Sequence, residues 1–150
     1  MSCPLIFWQH LMEKMKNRIL IDTHLLLWMF LEPERFSDKA EHFIKNSKDN
    51  DFFFSYASSW EISIKYGLGK IKLPKPPELF VPEIVRRAGV LHRPVELEQV
   101  LSVHSLPLLH KDPFDRLLIA QAKSENMTVF TADKIFSRYA VKTIYLSDIS

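Results

Sequence analysis

The chain predicts an α/β fold with a mainly parallel central sheet, and three observations carry that expectation. Apolar runs of strand length recur at Ile19-Leu20-Ile21, Phe52-Phe53-Phe54, Val90-Leu91-His92, Thr128-Val129-Phe130-Thr131 and Thr143-Ile144-Tyr145-Leu146. Most are continuous rather than alternating, as befits strands covered on both faces. The segments between them have helical spacing or helix-start chemistry, and no Asn-Gly type turn joins two runs into a hairpin. Right-handed crossovers between parallel strands are the natural connection.

Element by element, the first strand gives way to Leu25–Leu31, too long and Leu-rich for a strand and closed by Pro33. Ser37-Asp38 can cap a second helix running to Lys48, in which Ala40, Phe43 and Ile44 share one face. Trp60–Tyr66 is ambiguous, because its alternation is the strand template. Ser58 and Glu61 have capping-box spacing, however, and Gly67 and Gly69 suit a helix exit, which favours a helix. Prolines 74, 76, 77 and 82 mark a linker leading into a helix over Pro82–Ala88 that stops at Gly89. Another helix is expected over Glu96–His104, and Leu106-Pro107-Leu108 reads as a loop. Asp112-Pro113-Phe114-Asp115 is a helix start, with Asp at the cap and Pro at the first helical position, and that helix should reach Glu125. A short helical turn is expected after Asp133.

At 150 residues, 47% apolar and 25% charged, the chain suits one globular domain. We read residues 18–150 as that domain and residues 1–17 as an amino-terminal extension or a misplaced start, Met15 being a natural beginning. Leu5-Ile6-Phe7-Trp8 is too short for a signal sequence and no stretch is long enough to span a membrane. The lone Cys3 offers no disulfide framework, so a reducing compartment, the cytoplasm, is expected. A net charge of +2 is too weak to argue for nucleic acid. Lys65, Lys70, Lys72, Lys75, Arg86, Arg87 and Arg93 nevertheless cluster in one segment, as a phosphate backbone would favour and as solvated surface lysines would equally explain.

Four acids stand where apolar runs meet helix starts: Asp22, Glu61, Asp115 and Asp133. Each has a local explanation. Asp22 and Asp133 can cap the helices that follow them, Glu61 can close a capping box and pair with Lys65, and Asp115 can complement a helix dipole. Asp115 also shares a stripe with Ile119 and Ala122, which aims it at packed protein. Local capping does not explain why the strongest candidates gather at the carboxyl edge of one parallel sheet, where open α/β domains place their chemistry. Two carboxylates about 5 Å apart at an effective dielectric near 20 repel by roughly 3 kcal/mol, so four together demand compensation. All-oxygen ligands select Mg²⁺ or Mn²⁺ over zinc. The six histidines are scattered without paired metal-ligand spacing and read as ordinary residues, His24 beside Asp22 being the one to watch. Three glycines exclude a phosphate-cradling loop, and no nucleophile motif is present. Metal-assisted attack of water on a phosphodiester is the remaining chemistry.

In Ile19–Trp28, Ser59–Lys65, Asp112–Ala122 and Thr131-Ala132-Asp133 the sequence resembles the PIN-domain ribonucleases, and among them the VapC-type toxins of toxin-antitoxin pairs. The resemblance runs from about Arg18 to the carboxyl end. It implies a three-layer α/β/α sandwich and an RNA-cleaving enzyme using Mg²⁺ or Mn²⁺. It also implies Asp22 and Asp115 as central metal ligands, Glu61 and Asp133 as the acids completing the site, and Thr131 as a residue positioning metal or water. Lys65 and Arg116 flank the acids, where they could hold Glu61 or contact phosphate. An antitoxin that blocks the site and a homodimer are implied as partners, with the exposed parts of Leu25–Leu31 and Trp60–Tyr66 as candidate surfaces. Two other readings differ in class: a non-catalytic RNA-binding module of the same fold, and a phosphoryl-transfer domain, which Asp22 fits but His24 two residues on does not.

Overall fold

A computed structural model of the chain describes residues 4–13, 16–46 and 48–150. Cys3 and the alternative start at Met15 lie outside them. The sheet has five strands, β1 (Asn17–Ile21), β2 (Asn50–Ser55), β3 (Leu91–Arg93), β4 (Thr128–Thr131) and β5 (Thr143–Tyr145), in the order β3-β2-β1-β4-β5. All four pairings are parallel. The chain therefore steps outward from β1 to β2 and β3 on one side and resumes at β4 on the other. The place where the order reverses, between the carboxyl ends of β1 and β4, is where such sheets open a crevice.

Alternation along β1 divides the core. Ile19 and Ile21, with Phe52, Phe54 and Phe130, pack against α2 (Thr23–Leu31), α3 (Asp38–Lys45) and α5 (Pro77–Ala88) through Leu25, Leu26, Ile44, Phe80 and Ile84. Leu20, Phe53 and Val129 face the other way, onto Leu118, Ile119 and Ala122 of α7 (Pro113–Glu125), with Phe136 and Tyr139 completing that layer. The result is the three-layer sandwich. Helix α4 (Tyr56–Gly67) contributes Ile62 to the first core and Ala57 to the second, so it straddles the carboxyl edge.

Several element boundaries differ from expectation, each for a local reason. Helix α4 forms where alternation suggested a strand, but its cap is Ser55, whose hydroxyl accepts from Ala57 N–H. Ser58 is buried inside the helix and accepts 2.7 Å from the Thr23 hydroxyl, so the capping-box reading of Ser58 and Glu61 is corrected. Helix α5 starts at Pro77, which fits the first helical position, and carries Pro82 within it rather than beginning there. Gly89 ends it in the left-handed conformation (φ 70°), as expected of a C-terminal glycine. Helix α3 stops at Lys45 rather than Lys48. The Glu96–His104 segment divides into α6 (Leu97–Ser102) and a 3₁₀ turn at Val103–Ser105. The amino-terminal extension includes α1 (Pro4–Glu13), whose Leu5, Ile6, Phe7, Trp8 and Met12 are exposed. No described helix is long and apolar enough to cross a membrane.

Candidate metal centre

The site is assembled from four elements, β1, β4, α4 and α7, that end or begin at the same edge of the sheet. Asp22 directly follows β1, and its backbone N–H donates to Phe130 O of β4 at 2.9 Å, locking it beside the next strand. It stands at the N-cap of α2, yet its carboxylate makes no capping hydrogen bond. It accepts instead from the Thr131 hydroxyl at 2.8 Å, while its second oxygen, Oδ1, is buried with no partner. Burial, opposed chiefly by the Thr131 hydrogen bond, raises the Asp22 pKa above the usual carboxylate range. Thr131 also accepts from Asp133 N–H at 2.9 Å, so one hydroxyl ties two of the acids together.

Asp133 does satisfy the capping explanation, its Oδ1 accepting from Ile135 N–H at 3.0 Å, and half of its side chain is exposed. Asp115 does not. Asp112 takes the cap of α7, accepting from Phe114 and Asp115 N–H, and leaves the Asp115 carboxylate to face inward. Burial, then the charges of Asp22, Asp112, Glu61 and Asp133, push its pKa up to about 8. Glu61, only 1% exposed, comes from the middle of α4; Lys65 one turn on pairs with its Oε2, and Oε1 is buried without a hydrogen-bond partner. That pairing raises the Lys65 pKa against the cost of its partial burial. An edge-on contact of Trp60 with Phe114, centroids 4.9 Å apart, holds the helices bearing Glu61 and Asp115 together.

Two of the sequence expectations change. Arg116 is buried, and its guanidinium donates to the carbonyls of Pro107, Val103 and Leu106 and to the Tyr139 hydroxyl. It fastens the loop before α7. His24 is exposed against Trp28, whereas His110, read as one of six ordinary histidines, stands among the acids. Its Nε2 is 2.8 Å from Asp115 Oδ2 and 3.7 Å from Asp133 Oδ2. The signal was its position two residues before the Asp112 cap, close enough for its ring to accept from Asp112 N–H at 3.1 Å. Of the basic cluster, Lys65, Lys75, Arg87 and Arg93 are all engaged with carboxylates.

The donor set fits a hard divalent cation. Asp22 Oδ1 and Glu61 Oε1 are buried acceptors without donors, a costly state that an ion relieves. His110, Asp115 and Asp133 each offer an atom within 4.8 Å of the others. Lys65 pairs with one carboxylate of the four, and the charges of Asp22, Asp112, Glu61 and Asp133, second to burial in raising the Asp115 pKa, are what an ion would offset.

Fold and site together define an α/β/α domain with an acidic centre at the switch point of a parallel sheet. The chain belongs to the PIN domain family, whose pattern matches residues 19–142. Over 55 residues it is 38% identical to ribonuclease VapC16 of Mycobacterium tuberculosis, a stretch covering 37% of this chain and 38% of that protein's length. Among solved structures it is similar to VapBC2 of Rickettsia felis bound to a promoter DNA fragment, with a TM-score of 0.65 and 16% identity, covering 85% of this chain and 98% of the other. DNA-bound VapBC of Salmonella typhimurium superimposes with a TM-score of 0.62 and 16% identity, over 87% and 98% of the two chains. FitAcB of Neisseria gonorrhoeae matches at 0.56 and 19%, over 86% and 98%.

Proposed function

We propose that this PIN domain is a metal-dependent endoribonuclease, the toxin of a VapC-type toxin-antitoxin pair, with Asp22, Glu61, Asp115 and Asp133 as its metal-binding acids. The observation that carries the reading is the pair of buried, unpartnered carboxylate oxygens on Asp22 and Glu61, beside an Asp115 whose pKa burial and then its acidic neighbours raise. Mg²⁺ or Mn²⁺ bound there would neutralise the carboxylates, polarise a phosphodiester and lower the pKa of water for attack on phosphorus.

The chain's own residues prepare that chemistry. Thr131 fixes the Asp22 Oδ2 lone pair, leaving Oδ1 buried and without a donor. Lys65 holds one oxygen of Glu61 and leaves the other for an ion or an attacking water. Asp133, half exposed, would be the acid that solvent and substrate reach most readily. The partner is an antitoxin that covers this edge, supported by the solved VapBC and FitAcB relatives. Its docking surface is the stripe Tyr56, Trp60, Ile64 and Leu68 along α4, exposed at four-residue spacing next to Glu61. A homodimer accompanies it.

Purified chain should cleave single-stranded RNA in Mn²⁺ or Mg²⁺ and stop on addition of EDTA. Asp22→Ala and Asp115→Asn should abolish cleavage and the growth arrest caused by expression, with the fold intact by circular dichroism. Undiminished cleavage in excess EDTA, or in either variant, overturns the proposal; RNA binding without cleavage under every metal condition favours the non-catalytic module instead.

A further inference from the structure

The imidazole of His110 is built into place rather than merely near the acids. Its Nδ1 accepts from Asp112 N–H at 3.1 Å, the backbone N–H of His110 donates to the Tyr139 hydroxyl at 2.7 Å, and its ring packs edge-on to Phe136. The same Tyr139 hydroxyl takes a guanidinium N–H from Arg116, so the carbonyl clamp that Arg116 forms on the preceding loop also braces the histidine. An imidazole whose Nδ1 accepts a hydrogen bond carries its ring proton on Nε2. That nitrogen is buried, 2.8 Å from Asp115 Oδ2, and lacks an aligned acceptor. At that separation the Asp115 carboxylate is the nearest acceptor for the Nε2 proton.

The geometry points to His110 as a positioning residue: Nε2–H holds Asp115 Oδ2 and thereby orients the carboxylate toward the ion, an inference that rests on the metal-centre reading proposed above. Direct ligation by Nε2 is the competing arrangement, since His110, Asp115 and Asp133 lie within ligand distance of one another. It requires the ring proton on Nδ1, which would set two N–H groups, those of His110 and Asp112, against each other at 3.1 Å. The donor arrangement keeps every hydrogen bond the structure makes. Outer partners of this kind commonly change metal affinity by about 10- to 100-fold when removed.

Two near-isosteric variants separate the roles. His110→Asn retains an acceptor where Nδ1 stands but does not reach Asp115; His110→Gln carries an amide N–H near the position of Nε2. Calorimetric titration of the full chain with Mn²⁺, together with kcat and KM for a short single-stranded RNA at saturating Mn²⁺, reads the outcome. H110N should weaken Mn²⁺ binding by at least tenfold and lower kcat at unchanged KM, and H110Q should recover most of both. Wild-type behaviour of H110N overturns the inference, and so does an H110Q as impaired as H110N, which assigns Nε2 to the metal. A wild-type chain that binds no Mn²⁺ overturns the metal centre itself, and the positioning role with it.

Discussion

Asp115→Asn should stabilise the metal-free protein while destroying its activity. In the folded chain the Asp115 carboxyl ionises at about 8 instead of 3.8, because burial and then the charges of Asp22, Asp112, Glu61 and Asp133 oppose its negative form. Below pH 4 the group is protonated whether the chain is folded or not. Between about pH 4 and 8 the unfolded chain ionises and the folded one does not, so stability falls as pH rises; above 8 both are ionised and the loss levels off. At 1.36 kcal/mol per pKa unit the full shift corresponds to roughly 6 kcal/mol, and side-chain relaxation with proton sharing among the acids reduces this to about 2–4 kcal/mol at pH 7. Asparagine keeps the shape and never ionises. In EDTA at pH 7.5 the variant should therefore melt about 5–15 °C above wild type, taking about 2–4 °C per kcal/mol for a chain of this size. The gap should shrink markedly at pH 5, and saturating Mn²⁺ should narrow it by stabilising wild type alone. Differential scanning calorimetry at both pH values measures it. A variant no more stable than wild type at pH 7.5, or a gap unchanged at pH 5, refutes the account of a repelling acidic cluster.

Three further outcomes follow from particular contacts. Lys65→Met strips the buried Glu61 of its partner and should cost about 2 kcal/mol in denaturant titrations without metal, below the usual 3–5 for a buried pair because Lys65 is partly exposed. Arg116→Lys breaks a clamp on three backbone carbonyls and should cost about 2–3 kcal/mol in the same assay, leaving KM for RNA unchanged; a phosphate-binding arginine would show the opposite pattern, a raised KM without loss of stability. Tyr56→Ser should weaken antitoxin binding by about 2 kcal/mol in calorimetry and leave RNA cleavage within about twofold, since Tyr56 is an exposed aromatic on the α4 stripe whose ring contact is with His92 rather than with the helix bearing Asp115.

Much of this molecule was legible in its residues because the signals were local. The five apolar runs became five strands, and the absence of hairpin turns correctly required crossovers, because a strand covered on both faces must be apolar throughout. Asp112-Pro113 marked the start of α7 without ambiguity, since a capping carboxylate and a preset φ act within three residues. Trp60–Tyr66 shows the limit: its alternation is that of a strand, and the helix wins because the end of β2 supplies Ser55 as cap and both cores draw on α4.

The sequence by itself determined the fold class and singled out four acids as candidates, both of which depend on residue type and on spacing along the chain. Tertiary structure alone decided what each acid does with its two oxygens. Capping accounts for Asp133 but not for Asp22, whose carboxylate is taken by Thr131 from 109 residues away. It likewise decided that Arg116 donates to carbonyls of the loop before α7, and that His110, one of six scattered histidines, faces Asp115. Lone pairs and ring protons are committed only when distant segments meet, so the partner of a buried polar atom is written in the packing rather than in the order of the residues.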